Sequence, residues 1–311
     1  MKKIFLFPLL SLFYSCEKET EIFEVENLSR DYITVLGHGG MGISSVYPIN
    51  TFESIMNCLN LGTDGSEIDV QMTKDSVLVA FHDSNLSEKT NLTGSVSQYT
   101  FAELQAGYYD EMPYKSYAII SLDQLFSNID DLSSHKFTFD CKLYNADKND
   151  DAYLGRFANA IEAIAQKYQI QRKLLIESND KNFLMLLRAK NYNYKLFIYP
   201  QTFEEGLETA KELNLFGITI ASEDITAEQV QQSHNAGFRI AVWNVQTEDE
   251  NIAAIRKNPD FIQTDKVKHL VEAMAATDEV YYAMLKQWKK NADSLSRRFK
   301  PDSIITISTG Y

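Results

Sequence analysis

The chain alternates between short apolar runs and longer amphipathic stretches from about residue 31 to residue 275. The apolar runs are rich in β-branched and aromatic side chains, which predicts strands. They lie at residues 33–36, 65–70, 77–81, 137–141, 173–177, 195–199, 217–221, 239–244 and 261–264. The amphipathic stretches repeat apolar residues at helical spacing, which predicts helices at residues 51–61, 156–168, 181–190, 203–213, 227–236 and 247–257. Strands that alternate with helices in this way favour a parallel sheet with helical crossovers.

The third predicted strand is the exception to this alternation. Residues 77–81 follow the preceding strand after the short turn Thr73-Lys74-Asp75-Ser76. A parallel crossover needs about a dozen residues or more, so this strand is predicted to form an antiparallel hairpin at the rim. The remaining eight strands predict an α/β fold, a TIM (β/α)8 barrel over residues 31–275.

The predicted helix at residues 51–61 carries the clearest terminal signals. Asn50 stands at the N-cap position with Glu53 three residues later, which approximates a capping box. Gly62 follows the last apolar residue and predicts the end of the helix.

Two segments depart from the alternation. Residues 84–120 are rich in small and polar residues and have one short helical patch near Phe101–Leu104. This pattern predicts a small insertion after the second strand of the barrel and its hairpin partner. Residues 276–311 follow the last barrel helix and combine basic residues with an apolar stripe, which predicts a C-terminal helical extension. A helix docked on the barrel and a helix that lies on a membrane or a partner would both show this pattern.

The N-terminus is typical of a secretion signal. Lys2 and Lys3 precede an apolar run at residues 4–14 that is too short to span a bilayer, and Ser15 and Cys16 follow. The end of this run resembles the lipobox of bacterial lipoproteins. We therefore expect residues 1–16 to be a lipoprotein signal peptide ending at a lipidated Cys16. Residues 17–30 would then be a tether, and the protein would be anchored by lipid in the cell envelope, on the periplasmic side or the outer surface of the outer membrane. A plain cleaved signal is the alternative. Cys58 and Cys141 are expected to be buried free thiols.

Composition and charge narrow the class of protein. The chain has 311 residues, of which 44% are hydrophobic and 23% charged, and this balance excludes a disordered, collagen-like or coiled-coil protein. The formal net charge is −13, from 30 basic and 43 acidic residues. A field of this sign repels nucleic-acid phosphates, so no nucleic-acid partner is expected. It also disfavours a small anionic substrate unless a bound cation offsets it.

Acidic side chains lie on two of the predicted strands. Glu67 and Asp69 are two positions apart and therefore point to the same face, and Asp140 lies on a later strand. The carboxyl ends of barrel strands carry the active site, and inward carboxylates are costly unless they are paired or bind a metal. Three oxygen ligands predict one divalent cation, Mg²⁺ or Ca²⁺.

Other polar residues follow strand ends as well. His38 follows the first strand and His82 follows the third, so either histidine can act as a general acid or base beside a cation. Lys142 lies two positions after Asp140, and Trp243 ends a later strand. Asp265 follows the last strand and could close the barrel or cap a helix.

Five sequence blocks together resemble the glycerophosphodiester phosphodiesterase family. The blocks are Gly37-His38-Gly39-Gly40, Pro48-Ile49-Asn50-Thr51, Glu67-Ile68-Asp69-Val70, Thr73-Lys74-Asp75 and Phe81-His82-Asp83. Asp140-Cys141-Lys142 and Val242-Trp243-Asn244-Val245 continue the resemblance, which covers roughly residues 31–275.

The resemblance implies metal-dependent hydrolysis of a glycerophosphodiester to glycerol 3-phosphate and an alcohol. It implies that His38 and His82 are the acid/base pair and that Glu67, Asp69 and Asp140 hold the cation. It further implies that Lys142 contacts a phosphate oxygen and that Trp243 lines the pocket against the alcohol.

The chain departs from the family pattern at four positions. Gly39 replaces an arginine, Ile49 replaces a glutamate, and Ser76 replaces the glycine that ends the turn. Asp140 is one methylene shorter than the usual glutamate. If the arginine and the glutamate pair in relatives, both are absent here and no charge is stranded, which predicts that residues 39 and 49 lie close together. Gly39 is also expected to open space for a bulkier group near the phosphate and so to contribute to substrate binding.

Two alternatives to the leading function remain open at this point. One is a phospholipase D-like or cyclising phosphodiesterase that acts on lipids or on a surface polymer. The other is a surface lipoprotein that binds a phosphorylated headgroup without cleaving it.

Overall fold

The computed structural model describes residues 21–110, 117–144 and 150–277. The strands are β1 (Thr34–Gly37), β2 (Gly65–Met72), β3 (Leu78–Ala80), β4 (Lys136–Cys141), β5 (Leu174–Ser178), β6 (Lys195–Ile198), β7 (Gly217–Ala221), β8 (Arg239–Val245) and β9 (Phe261–Thr264). The helices are α1 (Phe52–Asn60), α2 (Phe101–Leu104), α3 (Leu122–Ser127), α4 (Asp151–Lys167), α5 (Lys181–Lys190), α6 (Phe203–Glu212), α7 (Ala227–Asn235), α8 (Glu248–Ile255) and α9 (Val267–Thr277).

Eight parallel strands close into a barrel. They follow the order β1-β2-β4-β5-β6-β7-β8-β9, and β9 pairs with β1 to complete the ring. β3 lies outside the ring and pairs antiparallel with β2, with Val70 opposite Ala80. The prediction of a TIM barrel with one additional hairpin strand is therefore confirmed, and each predicted strand corresponds to an observed one.

Alternation of side chains along each strand separates two packing layers. Ile68, Val70 and Met72 of β2 face the helices and belong to the large core between sheet and helices. A smaller cluster is formed by Leu36, Leu175, Phe197, Ala241 and Phe261, one from each of five barrel strands. The other face of β2 carries Glu67, Asp69 and Gln71. The polar residues of this strand therefore point away from the helices.

The insertion after the β2–β3 hairpin builds a small core of its own. Leu86, Val96, Leu104 and Tyr109 pack against Phe81 at the end of the hairpin. The predicted helical patch is α2, whose N-cap Thr100 and Glu103 form a capping box. This packing fixes the insertion beside β3, and Lys89 and Tyr109 of the insertion line one cavity together with His38 and His82.

One predicted helix start is wrong by one residue. The N-cap of α1 is Thr51, whose side chain accepts a hydrogen bond from the Ser54 backbone N–H, and not Asn50. Asn50 has a positive φ of 64° and uses its side-chain amide elsewhere, while the neighbouring hydroxyl is free to cap.

The described residues begin at position 21 and end at position 277, so they include part of the expected tether. Residues 21–30, the second part of the expected tether, lie against the barrel, where Asn27 donates to the backbone carbonyls of Tyr32 and Pro259. The expected signal peptide with Cys16, residues 17–20 of the tether and the C-terminal extension after Thr277 lie outside the described residues. Cys58 and Cys141 are buried free thiols, as expected. None of the helices in the described ranges has both the length and the apolarity that a bilayer crossing requires.

Candidate active site

Three carboxylates meet at the carboxyl-terminal mouth of the barrel. Glu67 and Asp69 point inward from β2, and the register of β2 and β4 sets Asp140 directly beside Asp69. One oxygen from each of these three residues lies within 4.8 Å of the others. The sequence predicted this trio, and barrel closure brings it together from two strands.

The trio fits a divalent cation. Glu67 Oε2 accepts a hydrogen bond of 2.8 Å from the Gly39 backbone N–H, but Glu67 Oε1 is buried and has no partner among the described residues. A buried carboxylate oxygen without a partner is costly, and an oxygen-seeking cation would satisfy it. Burial, followed by the charge of Asp69, holds the pKa of Glu67 well above its usual range.

Lys142 is the cation that the structure shows beside the trio. Its Nζ lies 2.6 Å from Asp140 Oδ2 and 3.0 Å from Asp69 Oδ1. Burial disfavours the charged form of Lys142, but the charges of Asp69 and Asp140 outweigh it and raise the lysine pKa. Burial likewise opposes ionisation of Asp69, yet the charge of Lys142 contributes to a lowered Asp69 pKa. The protonated form of Lys142 is therefore favoured, which places a positive charge beside the trio.

His38 is held by a buried carboxylate. His38 Nδ1 lies 2.8 Å from Asp265 Oδ1, which also accepts a hydrogen bond of 2.9 Å from the Ile43 backbone N–H. Burial opposes protonation of His38, but the hydrogen bond to Asp265 and the charges of Glu67 and Asp265 raise the pKa of His38 to about 9. The hydrogen bond at Nδ1 thus orients the imidazole, and Nε2 is left to donate or accept a proton. Asp265 was considered a barrel or capping residue from sequence, and the structure makes it the partner of His38.

His82 is held in a similar way by its neighbour. His82 Nδ1 lies 2.9 Å from Asp83 Oδ1, and the His82 side chain is 43% exposed, against 25% for His38. The hydrogen bond to Asp83 raises the pKa of His82. Gln71, which shares a face of β2 with Asp69, donates to the backbone carbonyls of Phe81 and Asp83 and so fixes the segment that carries His82.

Asn50 is a site residue that the sequence assigned to a helix cap. Its Nδ2 donates to Asp69 Oδ2 at 2.6 Å, and its Oδ1 accepts from the Asp69 backbone N–H at 3.0 Å. This paired contact fixes the orientation of Asp69, as groups around a metal ligand commonly do. Asparagine tolerates the left-handed φ at this position better than most residues.

Gly39 and Ile49 lie against each other. A Cβ on Gly39 would lie 2.6 Å from Ile49 Cβ, so the expected closeness of the two positions is confirmed. The expectation that Gly39 opens space near the phosphate is wrong, because Ile49 fills that space. Gly39 is buried, and its backbone N–H binds Glu67.

Two cavities lie at the ends of the barrel strands. A cavity of about 310 Å³ lies beside both histidines and is lined by Ile43, Tyr47, Pro48, Ile49, Asn50, Phe81, Asp83, Lys89 and Tyr109 as well. A larger cavity of about 720 Å³ lies at the ends of β5 to β8 and includes Trp243. The trio stands on β2 and β4, and Lys142 directly follows β4; none of these four residues belongs to the lining of either cavity.

Glu177 is a further acidic residue that sequence reasoning missed. It lies beside Asp140 across β4 and β5, and Gln263 Nε2 donates to its Oε1 at 2.6 Å. Burial, followed by the charge of Asp140, raises the pKa of Glu177 to about 8. Its position at the end of a predicted strand was the available signal, but only the closed barrel shows that it faces the trio.

Comparison with known proteins links this chain to one family. Residues 41–269 match the glycerophosphoryl diester phosphodiesterase family. A glycerophosphodiester phosphodiesterase of Caldanaerobacter subterraneus is 26% identical over 74% of this chain and 93% of its own length. The glycerophosphodiester phosphodiesterase of Bacillus altitudinis is 29% identical over 44% of this chain. The chain spans about half (55%) of the length of that relative. An Oleispira antarctica phosphodiesterase, solved in complex with the product sn-glycerol-3-phosphate, has the same fold, with a TM-score of 0.68, 20% identity and coverage of 78% and 96% of the two chains.

Proposed function

The chain belongs to the glycerophosphoryl diester phosphodiesterase family and is a phosphoric diester hydrolase, and from this premise we propose a reaction and a role for each site residue. The substrate is a glycerophosphodiester, and the products are glycerol 3-phosphate and an alcohol. The relative solved with sn-glycerol-3-phosphate supports this choice of product. Glu67, Asp69 and Asp140 hold one divalent cation, Mg²⁺ or Ca²⁺.

The cation, when bound, stabilises the negative charge that grows on the phosphoryl oxygens. Lys142 contributes a second positive charge to the same oxygens, because its Nζ already lies within 3.0 Å of two carboxylates of the trio. Asn50 and the Gly39 backbone N–H keep Asp69 and Glu67 oriented toward the cation. The chain thereby surrounds an anionic substrate with positive charge in spite of its acidic total.

His38 is the general acid and His82 the general base in this proposal. Asp265 favours the protonated form of His38, and a protonated imidazole can give its proton to the leaving alkoxide. His82 is more exposed and lines the same cavity as His38, where it can accept a proton from the attacking nucleophile. The two carboxylate-held imidazoles beside the acidic trio are the single observation that carries the proposal.

A metal-supplemented assay of a glycerophosphodiester panel tests the reaction. We expect turnover that depends on Mg²⁺ or Ca²⁺ and that is lost in His38→Ala and His82→Ala with unchanged thermal unfolding. Asn128→Ala, on the surface after α3, serves as a matched control and should retain activity. Absence of turnover of every diester by the folded, metal-loaded protein rejects the reaction and leaves headgroup binding as the function.

A second candidate substrate is a diester that keeps an acyl chain, as in a phospholipase D-like reaction. The cavity beside the histidines has apolar walls from Tyr47, Ile49 and Phe81. Ile43 also lines this cavity and is 55% exposed, so an acyl chain could lie against it. Turnover of lysophospholipids above that of deacylated diesters would favour this candidate. Phosphorus NMR of the products would detect a cyclic phosphate and so separate hydrolysis from cyclisation.

The location of the enzyme is a separate proposal that rests on sequence. A lipid on Cys16 would hold the barrel at the cell envelope through the residues that precede the barrel. Metabolic labelling with a fatty-acid analogue tests this, because Cys16→Ser should abolish the label and release the protein from membranes.

A further inference from the structure

We propose that the amino-terminal mouth of the barrel, at the end opposite the carboxylate trio, binds a phosphate group. The first residues of the parallel strands form this mouth. Four cationic side chains stand there, namely Lys136, Lys173, Lys195 and Arg239. They concentrate positive charge in a chain whose formal net charge is −13. The site lies beyond the proposed function, because it involves neither the histidines nor the cation of the trio.

Strand alternation directs three of these side chains toward the barrel axis. Each of the three precedes a member of the smaller apolar cluster by two positions, in the pairs Lys173 and Leu175, Lys195 and Phe197, and Arg239 and Ala241. The fourth, Lys136, begins β4, and its Nζ donates to Thr34 Oγ1 of β1 at 2.9 Å. Glu177 and Trp243 follow the same cluster by a further two positions, so the apolar cluster separates the cations from the active-site end.

The cations at this mouth lack partners of opposite charge. Lys173, Lys195 and Arg239 form no ion pair with a carboxylate in the described ranges, although all three residues are partly buried. Burial, followed by the charges of the other three cations, lowers the pKa of Lys195 to about 8. The four cations therefore lie close enough to repel one another, and a bound anion would relieve this repulsion.

Asp64 offsets only part of this charge. Its Oδ1 lies 3.9 Å from Lys136 Nζ. The carboxylate also accepts hydrogen bonds of 2.8 Å from the Tyr32 hydroxyl and from the Val35 backbone N–H, which tie it to the start of β1. Burial lowers the pKa of the neighbouring His135, so the histidine adds no charge at neutral pH. Four cations and one carboxylate leave an excess of positive charge at the mouth.

Phe216 gives two of the cations a common apolar platform. The guanidinium carbon of Arg239 lies 4.3 Å from the centroid of the Phe216 ring, and Lys195 Nζ lies 5.6 Å from it. Phe216 in turn packs against Phe197, with 5.6 Å between the ring centroids. Arg239 Nη2 donates to the Leu28 backbone carbonyl at 3.0 Å, and its other N–H groups donate to none of the described residues. The guanidinium is therefore held in place with donors to spare.

A phosphate group matches this arrangement. It presents several charged oxygens around one centre, so a guanidinium can bind two of them while lysines bind the others. Partly buried charges are screened by salt much less than exposed ones, which favours binding at physiological ionic strength. Free inorganic phosphate and the headgroup of an anionic phospholipid both present this group, and the experiments separate the two sources.

Thermal unfolding of the full chain in EDTA measures phosphate binding without a cation at the trio. We expect inorganic phosphate to raise the melting temperature more than chloride does at equal ionic strength. Lys195→Gln should weaken the apparent phosphate affinity about tenfold, because it removes one charged contact. Lys268→Gln, which alters an exposed lysine paired with Glu272 on α9, is the matched control and should leave the affinity unchanged.

Two results would overturn the inference. One is equal stabilisation by phosphate and chloride, and the other is a phosphate effect that Lys195→Gln leaves intact. Lys195→Gln should also raise the melting temperature without phosphate, because it removes a partly buried cation that has no partner. If this variant fails to fold, Lys173→Gln gives the same comparison at a second member of the group.

Vesicle sedimentation identifies the source of the phosphate. The full chain with Cys16→Ser, which excludes an acyl group in every variant, is mixed with vesicles of phosphatidylcholine alone or of equal parts phosphatidylcholine and phosphatidylglycerol. Binding to the anionic vesicles that Lys195→Gln weakens and inorganic phosphate displaces would assign the site to a lipid headgroup. Stabilisation by inorganic phosphate without vesicle binding would assign it to a free phosphate. Absence of both would overturn the inference.

Discussion

Ile49 occupies the place that a side chain on residue 39 would need, because a Cβ on Gly39 would lie 2.6 Å from Ile49 Cβ. The two departures from the family pattern are therefore one structural change. A small residue and an apolar residue pack at the two positions where the family pattern has opposite charges, and neither charge is left without its partner. Ile49 gives an apolar wall to the cavity that is also lined by His38 and His82.

Reintroducing the charges should be tolerated only as a pair. Gly39→Arg alone should destabilise the protein by about 1–3 kcal/mol through collision with Ile49. Gly39→Arg combined with Ile49→Glu should recover part of this loss, because the introduced carboxylate pairs with the guanidinium and Ile49 Cγ2 is removed; the contact with the β-carbon at position 49 remains. Both forms share the strain of a side chain at φ +53°, so that cost cancels in a double-mutant cycle of unfolding free energies. Additive effects of the two substitutions would contradict a direct interaction between positions 39 and 49.

Asp265→Asn should change the pH dependence of both activity and stability. The pKa of His38 is about 9 in the folded protein and ordinarily near 6.5, so folding favours its protonated form. This stabilisation is complete below pH 6.5 and is lost as the pH rises through 9. We expect Asp265→Asn to cost about 1.5–3 kcal/mol at pH 6 and much less at pH 9.5, as measured by denaturant unfolding.

The same variant should move the alkaline limb of the activity profile toward lower pH. His38 must hold a proton to act as the acid, and the asparagine no longer favours the charged imidazole. A uniform loss of activity across the pH range would instead indicate that Asp265 serves only to support the fold. Asp83→Asn alters the hydrogen-bond partner of His82 in the same way, and the pH profile of its activity is measured in parallel.

Removing a metal ligand should stabilise the metal-free protein. Burial and the charge of Asp69 raise the pKa of Glu67, so an ionised Glu67 is unfavourable when no cation is present. Glu67→Gln should therefore raise the melting temperature in EDTA and abolish the further rise that Mg²⁺ or Ca²⁺ gives the unaltered chain. That rise corresponds to about 3–4 kcal/mol at hundredfold to thousandfold excess over Kd. A cation-induced shift that survives Glu67→Gln would show that the trio is not the binding site.

Loss of the Asn50 side chain should weaken the cation site without removing a ligand. Asn50→Gly keeps the left-handed backbone at φ 64° and deletes both contacts to Asp69. We expect metal affinity to fall about 10–100-fold, as for other groups that orient metal ligands. Calorimetric titration with Mg²⁺ and Ca²⁺ measures this. Asn57→Ala, which loses only a contact to the Glu53 backbone carbonyl on α1, should bind metal as the unaltered chain does.

The fold was largely predictable from sequence because its signals are local. Each strand shows as a short apolar run, and the crossover helices other than α3 show as apolar stripes between two such runs. The six-residue helix α3 was not predicted. The four-residue turn before β3 was enough to exclude a parallel crossover. The N-cap of α1 was missed because Asn50 and Thr51 are both good caps, and only the contact of Asn50 with Asp69 decides between them.

The sequence by itself determined the barrel, the acidic trio and the two histidines, because strand alternation fixes which residues share a face and strand ends gather at one mouth. Tertiary structure alone decided how these groups are held. His38 and Asp265 are 227 positions apart, and no local pattern couples them before the last strand closes on the first. Ile49 fills the space beside Gly39 through a contact between separate segments of the chain. The larger cavity at the ends of β5 to β8 likewise depends on separate loops, whose positions are set by closure of the barrel.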